Sequence, residues 1–412
     1  MKIKYLAKKT LATYTMLATI FLPSLALASN NITNGANAYL VTKTWTPNER
    51  YNATHFLMVP LHYAYQSKDT NLIHTFDTQM ALLTQSGLNS LDLSDSTQRL
   101  RLLQYFYLLS QYAVLSGNKQ PEISKYLLQN ISNIWTSMPA WQWQRKPFSN
   151  MKERIHWKLH AGNNVGFKRA IIDEEFFTFA VAADLSKIYP NNPTLHDINQ
   201  SSFQVFQQRS NFDQAGRWLF DKGSWDTHPD FAYAGYTDTN NIQDKKPIQN
   251  SVMDSSHFLR MPLILKSLQN SYPPNSSNYA FYGKARIGLE KQFFDKVLIN
   301  KNNSIHLTNF MDGRNGVYRW NHKSLRQENA GYDAYELTSS FGMGWWVFLP
   351  SKHINDLYHQ YHQQITTSTI NQKNCDRLSE VIMQKQTIIN RKTLNECMYW
   401  YNTLMTDAIT QK

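Results

Sequence analysis

The chain has 412 residues, a formal net charge of +12 and two cysteines, enough for one large domain or two ordinary ones. The positive surplus favours anionic partners, but no Lys/Arg run or nucleic-acid motif accompanies it. An acidic polysaccharide is therefore expected in place of nucleic acid. No Gly-rich phosphate loop, zinc-protease helix motif, Cys-x-x-Cys pair or nucleophile elbow occurs, which sets aside the chemistries those motifs serve.

The first 28 residues have the three parts of a cleavable secretory signal. Lys2, Lys4, Lys8 and Lys9 give a positive start, an apolar stretch runs from about Leu11 to Leu25, and Ala26-Leu27-Ala28 supplies the small-x-small site before Ser29. Thr13, Thr15, Thr19 and Pro23 interrupt that stretch, which is short for a bilayer span. No other segment approaches spanning length. Residues 29–412 are expected as a single domain, a monomer free in a periplasm, a lumen or the medium. Cleavage removes four lysines and no acid, lowering the surplus from +12 to +8.

Helical periodicity dominates beyond the leader and strand-like alternation is scarce. The spacing predicts helices at about 50–66, 70–86, 97–116, 121–137, 167–189, 194–209, 254–270, 279–298, 334–349, 351–369, 377–390 and 393–409, which fall into six consecutive hairpins. In 167–189, Ile172, Phe176, Phe179 and Ala183 make one apolar stripe, and Phe177, Val181, Leu185 and Ile188 make another. A helix apolar on both sides lies between two layers. Its alternation with more polar helices, such as 194–209 and 351–369, predicts an all-α fold with an inner ring wrapped by an outer one, an α/α toroid. The alternative is an irregular helical bundle of similar size. Two stretches, about 138–166 and 210–253, are expected to be long loops at one mouth, where loops of that length usually carry function.

The 210–253 stretch contains Gly223-Ser224-Trp225-Asp226-Thr227-His228-Pro229-Asp230-Phe231-Ala232-Tyr233-Ala234-Gly235-Tyr236. A histidine and a tyrosine brought together supply a base and an acid for one proton transfer, while the same aromatics would equally plug a toroid's mouth. The run resembles the Gly-Ser-aromatic-x-x-His-x-x-x-Ala-Tyr-x-Gly segment of the chondroitin and hyaluronate lyase family. That resemblance implies an α/α-toroid catalytic domain and catalytic roles for His228 and Tyr233. It departs at Gly235-Tyr236, which are adjacent here, where the family places its second aromatic one residue further on. The family's C-terminal β-sandwich domains have no counterpart, leaving a unit more like the alginate lyases.

Such lyases also use an asparagine before an inner helix, which implies Asn163 or Asn164 in Gly162-Asn163-Asn164. The family's aromatic pair after the asparagines is missing, and Asn-Asn after Gly also suits a helix N-cap. Asp254-Ser255-Ser256-His257-Phe258-Leu259-Arg260-Met261-Pro262-Leu263 resembles the His-x-x-x-x-Pro-Leu stretch of alginate lyases, with Asp254 or Ser255 reading equally as a cap and His257 as a core histidine. Arg314 and Arg319, five apart between aromatics, resemble the Arg-rich substrate segment of the chondroitin lyases, and an arginine fork binds a carboxylate bidentately. Loop tryptophans at Trp141, Trp143 and Trp225, with Tyr236, offer flat rings for sugar faces or pocket walls.

Three further features stand apart from that site. Cys375 and Cys397 are expected to form one disulfide between two terminal helices. His156 and His160 lie four apart with Glu153 ahead of them, so one helical face could hold a metal, but without obvious partner ligands the pair reads better as solvated or core histidines and no metal is assigned. Asp173-Glu174-Glu175 opens a buried helix, where acids offset the macrodipole, and offers the best carboxylates for a glycosidase.

The reading that follows is a secreted polysaccharide lyase cleaving a uronic-acid-containing glycan by β-elimination, with no metal or organic cofactor required. Asn163 or Asn164 and an arginine would stabilise charge developing on the uronate carboxylate, and His228 and Tyr233 would move protons. Trp141, Trp143, Trp225, Tyr236, His257, Arg260, Arg314 and Arg319 would hold substrate. The rival enzyme is a hydrolase on the same toroid using a carboxylate pair. The rival without chemistry is a glycan-binding envelope protein.

Overall fold

Helix-forming spacing is realised along most of the chain. The computed structural model describes residues 32–41, 47–86, 88, 93–141, 146–221, 223, 232–234, 252–315, 318–322, 327–366 and 371–409. The segment expected to be a leader, residues 1–28, lies outside them. Fourteen α-helices are described: α1 (Asn34–Leu40), α2 (Pro47–Ser67), α3 (Thr70–Ser86), α4 (Ser96–Leu115), α5 (Pro121–Thr136), α6 (Met151–His160), α7 (Asp173–Ile188), α8 (Pro193–Arg209), α9 (Ser255–Phe258), α10 (Met261–Asn270), α11 (Ser277–Gln292), α12 (His353–Thr366), α13 (Gln372–Lys385) and α14 (Arg391–Met405). The fold is all-α. No described helix is long and apolar enough to cross a membrane.

Seven short strands form three small antiparallel sheets. β1 (Ser210–Phe212) pairs with β2 (Trp218–Phe220), and β4 (Leu298–Lys301) pairs with β5 (Ser304–Leu307). The third sheet has the order β3 (Ala232–Ala234), β6 (Tyr318–His322), β7 (Gln327–Tyr332).

Packing orders the helices. α2 lies against α4, α4 against α7 and α7 against α10. α10 then meets the 3-10 turn Trp345–Phe348, the preceding turn Glu336–Met343 meets α14, and α14 returns to α2. Outside this circuit α3 covers α2, α5 covers α4 and α7, α8 covers α7, α11 covers α10, and α12 and α13 cover α14. Position in two layers explains why every residue of α7 from Glu174 to Leu185 is buried, as its two apolar stripes predict. One contiguous apolar core runs from Ala36 to Ile409.

Polar rungs fix the direction of the inner helices. His55 of α2 meets Gln104 of α4 at 2.8 Å, and His62 meets Gln111 at 3.0 Å. Both pairs advance by the same seven residues, so α2 and α4 are parallel. On the next interface Glu174 is engaged near the start of α4 by Arg99, and Asp184 near its end by Ser110, so α7 runs the same way. The starts of these helices therefore share one end of the molecule.

Several sequence expectations are corrected. The predicted loop at 138–166 contains α6. Its start is fixed by the Asn150 side chain, which accepts from Glu153 N–H, while Glu153 accepts from Ser149 N–H. Its buried face is Met151, Arg154, Ile155 and Lys158. With two charged residues inward, the face shows no apolar period.

The predicted helix at 334–349 is two 3-10 turns, broken where Tyr335 and Gly344 take left-handed backbone at φ 64° and 86°. The predicted 167–189 helix starts at Asp173, after a 3-10 segment Asn163–Arg169 kinked at Gly166. The predicted 254–270 helix divides at Leu259–Arg260 ahead of Pro262. Within 210–253, β1, β2 and β3 replace part of the expected loop.

Cys375 on α13 and Cys397 on α14 are disulfide-bonded, with Cα atoms 5.5 Å apart. The bond joins the two terminal helices predicted to hold it.

Candidate functional site

One set of buried polar side chains gathers between the parallel helices. Its centre is His55. The Nδ1 atom lies 3.1 Å from the Tyr51 carbonyl and Nε2 lies 3.0 Å from Arg260 Nη2. A guanidinium only donates, so Nε2 accepts and Nδ1 holds the proton. Burial, followed by the Arg260 charge, pushes the His55 pKa down to about 3. The ring is neutral.

Arg260, just ahead of α10, donates through Nη1 to Asp173 at 2.9 Å and lies over the Phe177 ring at 5.5 Å. It is buried and, from just ahead of α10, ties His55, within α2, to the start of α7.

One helical turn earlier, Asp254 caps α9 by accepting from His257 N–H at 2.8 Å. The same carboxylate lies 2.8 Å from His257 Nδ1. An ionised carboxylate only accepts, so it selects the Nδ1–H tautomer and leaves a lone pair on Nε2. The His257 side chain is 38 % exposed and that of Asp254 13 %. A histidine oriented by a more buried acid and open to solvent has the equipment of a general base. Asp254 is thus the cap, and His257 is not a core histidine.

A second buried cluster joins α6 to the start of α7. Glu175 accepts from Arg154 at 2.9 Å and from Lys158 at 2.7 Å, and all three side chains are fully buried. Glu174 pairs with Arg154 at 2.8 Å and Arg99 at 3.5 Å. Burial alone would raise the Glu175 carboxyl, but Lys158 and Arg154 outweigh it and hold the group below the usual carboxylate range. An ionised acid walled off from solvent is a poor proton donor. The cluster instead positions Trp141, whose carbonyl accepts from Arg154 at 2.6 Å and whose ring carries the Arg99 guanidinium at 4.4 Å.

Of the residues expected in the site, Tyr233 and Arg319 are paired with each other, others are described singly, and four lie outside the described residues. Tyr233 on β3 stands directly opposite Arg319 on β6 in the register. Asn163 and Asn164 open the 3-10 segment, where Asn164 is exposed; neither caps α7, whose N-cap position is Ile172. Arg169, at the end of that segment, donates to Asp221 at 2.8 Å.

Gly223 follows at φ 69°, and a Cβ there would meet the Arg169 side chain at 3.2 Å. The stretch leading to His228 therefore departs from a point fixed against the segment that holds the asparagines. Arg314 is buried and pairs with Asp312 at 2.7 Å. His228, Trp143, Trp225 and Tyr236 lie outside the described residues.

Sequence reasoning missed His55, Gln104, Arg154, Lys158 and Arg169. The only signal available was the matched seven-residue spacing, His55 to His62 on α2 and Gln104 to Gln111 on α4. No family model matches the chain, and no curated protein or solved structure matches it.

Proposed function

We propose that the chain is an exported polysaccharide lyase on an α/α toroid, cleaving a uronic-acid-containing glycan by β-elimination. The closed circuit from α2 through α4, α7 and α10 to α14, covered by a second layer, supports the toroid. One observation carries the function. Arg169 joins the Asn163–Arg169 segment to Asp221 and Gly223, at the head of the stretch holding His228 and Tyr233. That contact sets the asparagine-bearing segment beside Gly223, where the run resembling the lyases begins, and this supports the reading.

In this reading Asn164 or Asn163 donates to the uronate carboxylate, stabilising charge as the adjacent C–H ionises. His228 or Tyr233 takes the proton, and Tyr233 returns one to the departing glycosidic oxygen. The Asp254–His257 pair offers a second base near the same mouth. Burial and ion pairing of Glu174 and Glu175 speak against the hydrolase alternative.

The test is a screen of alginate, chondroitin, hyaluronate, heparin and pectate for ultraviolet absorbance. Elimination leaves a conjugated unsaturated end. New reducing ends without that absorbance would assign a hydrolase, and binding without product would assign a glycan-binding protein.

A further inference from the structure

We propose that His156 and His160 form a surface site for a divalent transition-metal ion on the last turn of α6. The proposal is independent of the lyase reading. α6 turns Arg154, Ile155 and Lys158 inward, which leaves His156 and His160 exposed on its outer side. Residues four apart on a helix are neighbours on one face. The two rings stand with centroids 4.3 Å apart and planes 34° from each other, so both imidazoles already occupy one small volume.

The hydrogen bonding prepares one ring for a metal. His160 Nδ1 lies 2.7 Å from the His156 carbonyl oxygen. A carbonyl only accepts, so Nδ1 holds the hydrogen and Nε2 keeps its lone pair. Metal-binding histidines commonly donate their other ring N–H to a carbonyl or carboxylate in this way, which fixes the tautomer and raises ligand basicity.

Electrostatics favour a cation there as well. The pair sits at the C-terminal end of α6, where carbonyls without helical partners concentrate partial negative charge. Lys152, one turn before His156, is turned to Asp197 on α8 at 2.7 Å and so is engaged elsewhere.

Two neutral imidazoles select Zn²⁺, Cu²⁺ or Ni²⁺ over Mg²⁺ or Ca²⁺, which prefer oxygen ligands. Among the described residues no group of three His, Cys, Asp or Glu side chains converges. The pair therefore supplies two ligands, and solvent completes the shell. Such a site binds reversibly and leaves positions open for exchange.

Calorimetric titration of the untagged full chain with ZnCl₂, NiCl₂ and CuCl₂ tests the site, with MgCl₂ as control. One equivalent of Zn²⁺, Ni²⁺ or Cu²⁺ should bind and Mg²⁺ should not. His156→Ala and His160→Ala should each weaken binding at least about tenfold, the loss of one of two chelating ligands. His196→Ala, at another exposed histidine on α8, should change nothing. Because both side chains are exposed, circular dichroism of the variants should match the parent. No binding up to about 1 mM metal, or undiminished binding in both alanine variants, overturns the proposal.

Discussion

Arg154 and Glu175 meet at 2.9 Å with neither side chain reaching solvent. Lys158 touches the same carboxylate, and burial first of all pulls its pKa down to about 8. Removing the carboxylate would leave two buried cations facing each other. Glu175→Gln should therefore cost about 3–5 kcal/mol of stability, the usual penalty for breaking a buried pair. Urea unfolding measures it, and a loss near zero would mean that the cluster is hydrated or able to rearrange.

Acid should weaken the fold through two histidines. Burial pushes both His55 and His62 down to about 3, against about 6.5 in an unfolded chain. Between those values the unfolded chain binds protons that the folded chain refuses. Stability therefore falls as pH drops from about 6.5 towards about 3, by at most about 1.4 kcal/mol per pH unit for each histidine. His62→Gln should shallow that slope in unfolding titrations. A slope identical to the parent's would count against the neutral-core assignment.

Reduction of the Cys375–Cys397 bond should lower stability by about 3 kcal/mol on the chain-entropy model, for a sequence separation of 22. Melting with and without reductant measures the change. Thiol titration of unreduced, unfolded protein should find no free cysteine.

Turnover on the uronate polymer identified by the absorbance screen should fall about 10²–10⁴-fold in Tyr233→Phe, the range for losing a general acid–base group. The melting temperature should hold, because the ring remains. A nearly silent Tyr233→Phe would remove that tyrosine from proton transfer.

The helices were legible where burial is apolar and illegible where it is charged. α7 shows both of its stripes because Phe176, Phe177, Phe179 and Val181 face the two layers. α6 shows none, since Arg154 and Lys158 occupy inward positions that a hydrophobic period cannot register. The site follows the same rule. Asp173 and Glu174 read as acids of a first helical turn, and their partners Arg260 and Arg99 lie 87 and 75 residues away, so no local pattern joins them. His257 was singled out by a motif, but its coupling to Asp254 depends on the cap that brings ring and carboxylate together.

The two rungs between α2 and α4 have a mechanical consequence. His55–Gln104 and His62–Gln111 are spaced seven residues apart on both helices, or about 10 Å along the axis. A lone peg would stop sliding and still let the helices pivot about it. Two pegs block rotation too, since any scissoring must stretch one of them. A shift by one helical turn would break both rungs at once, leaving His55 only its Tyr51 and Arg260 hydrogen bonds and Gln111 only Asp184 and Ser267. The wall made by α2 and α4 is thus locked as a plate, which resists sliding and scissoring together.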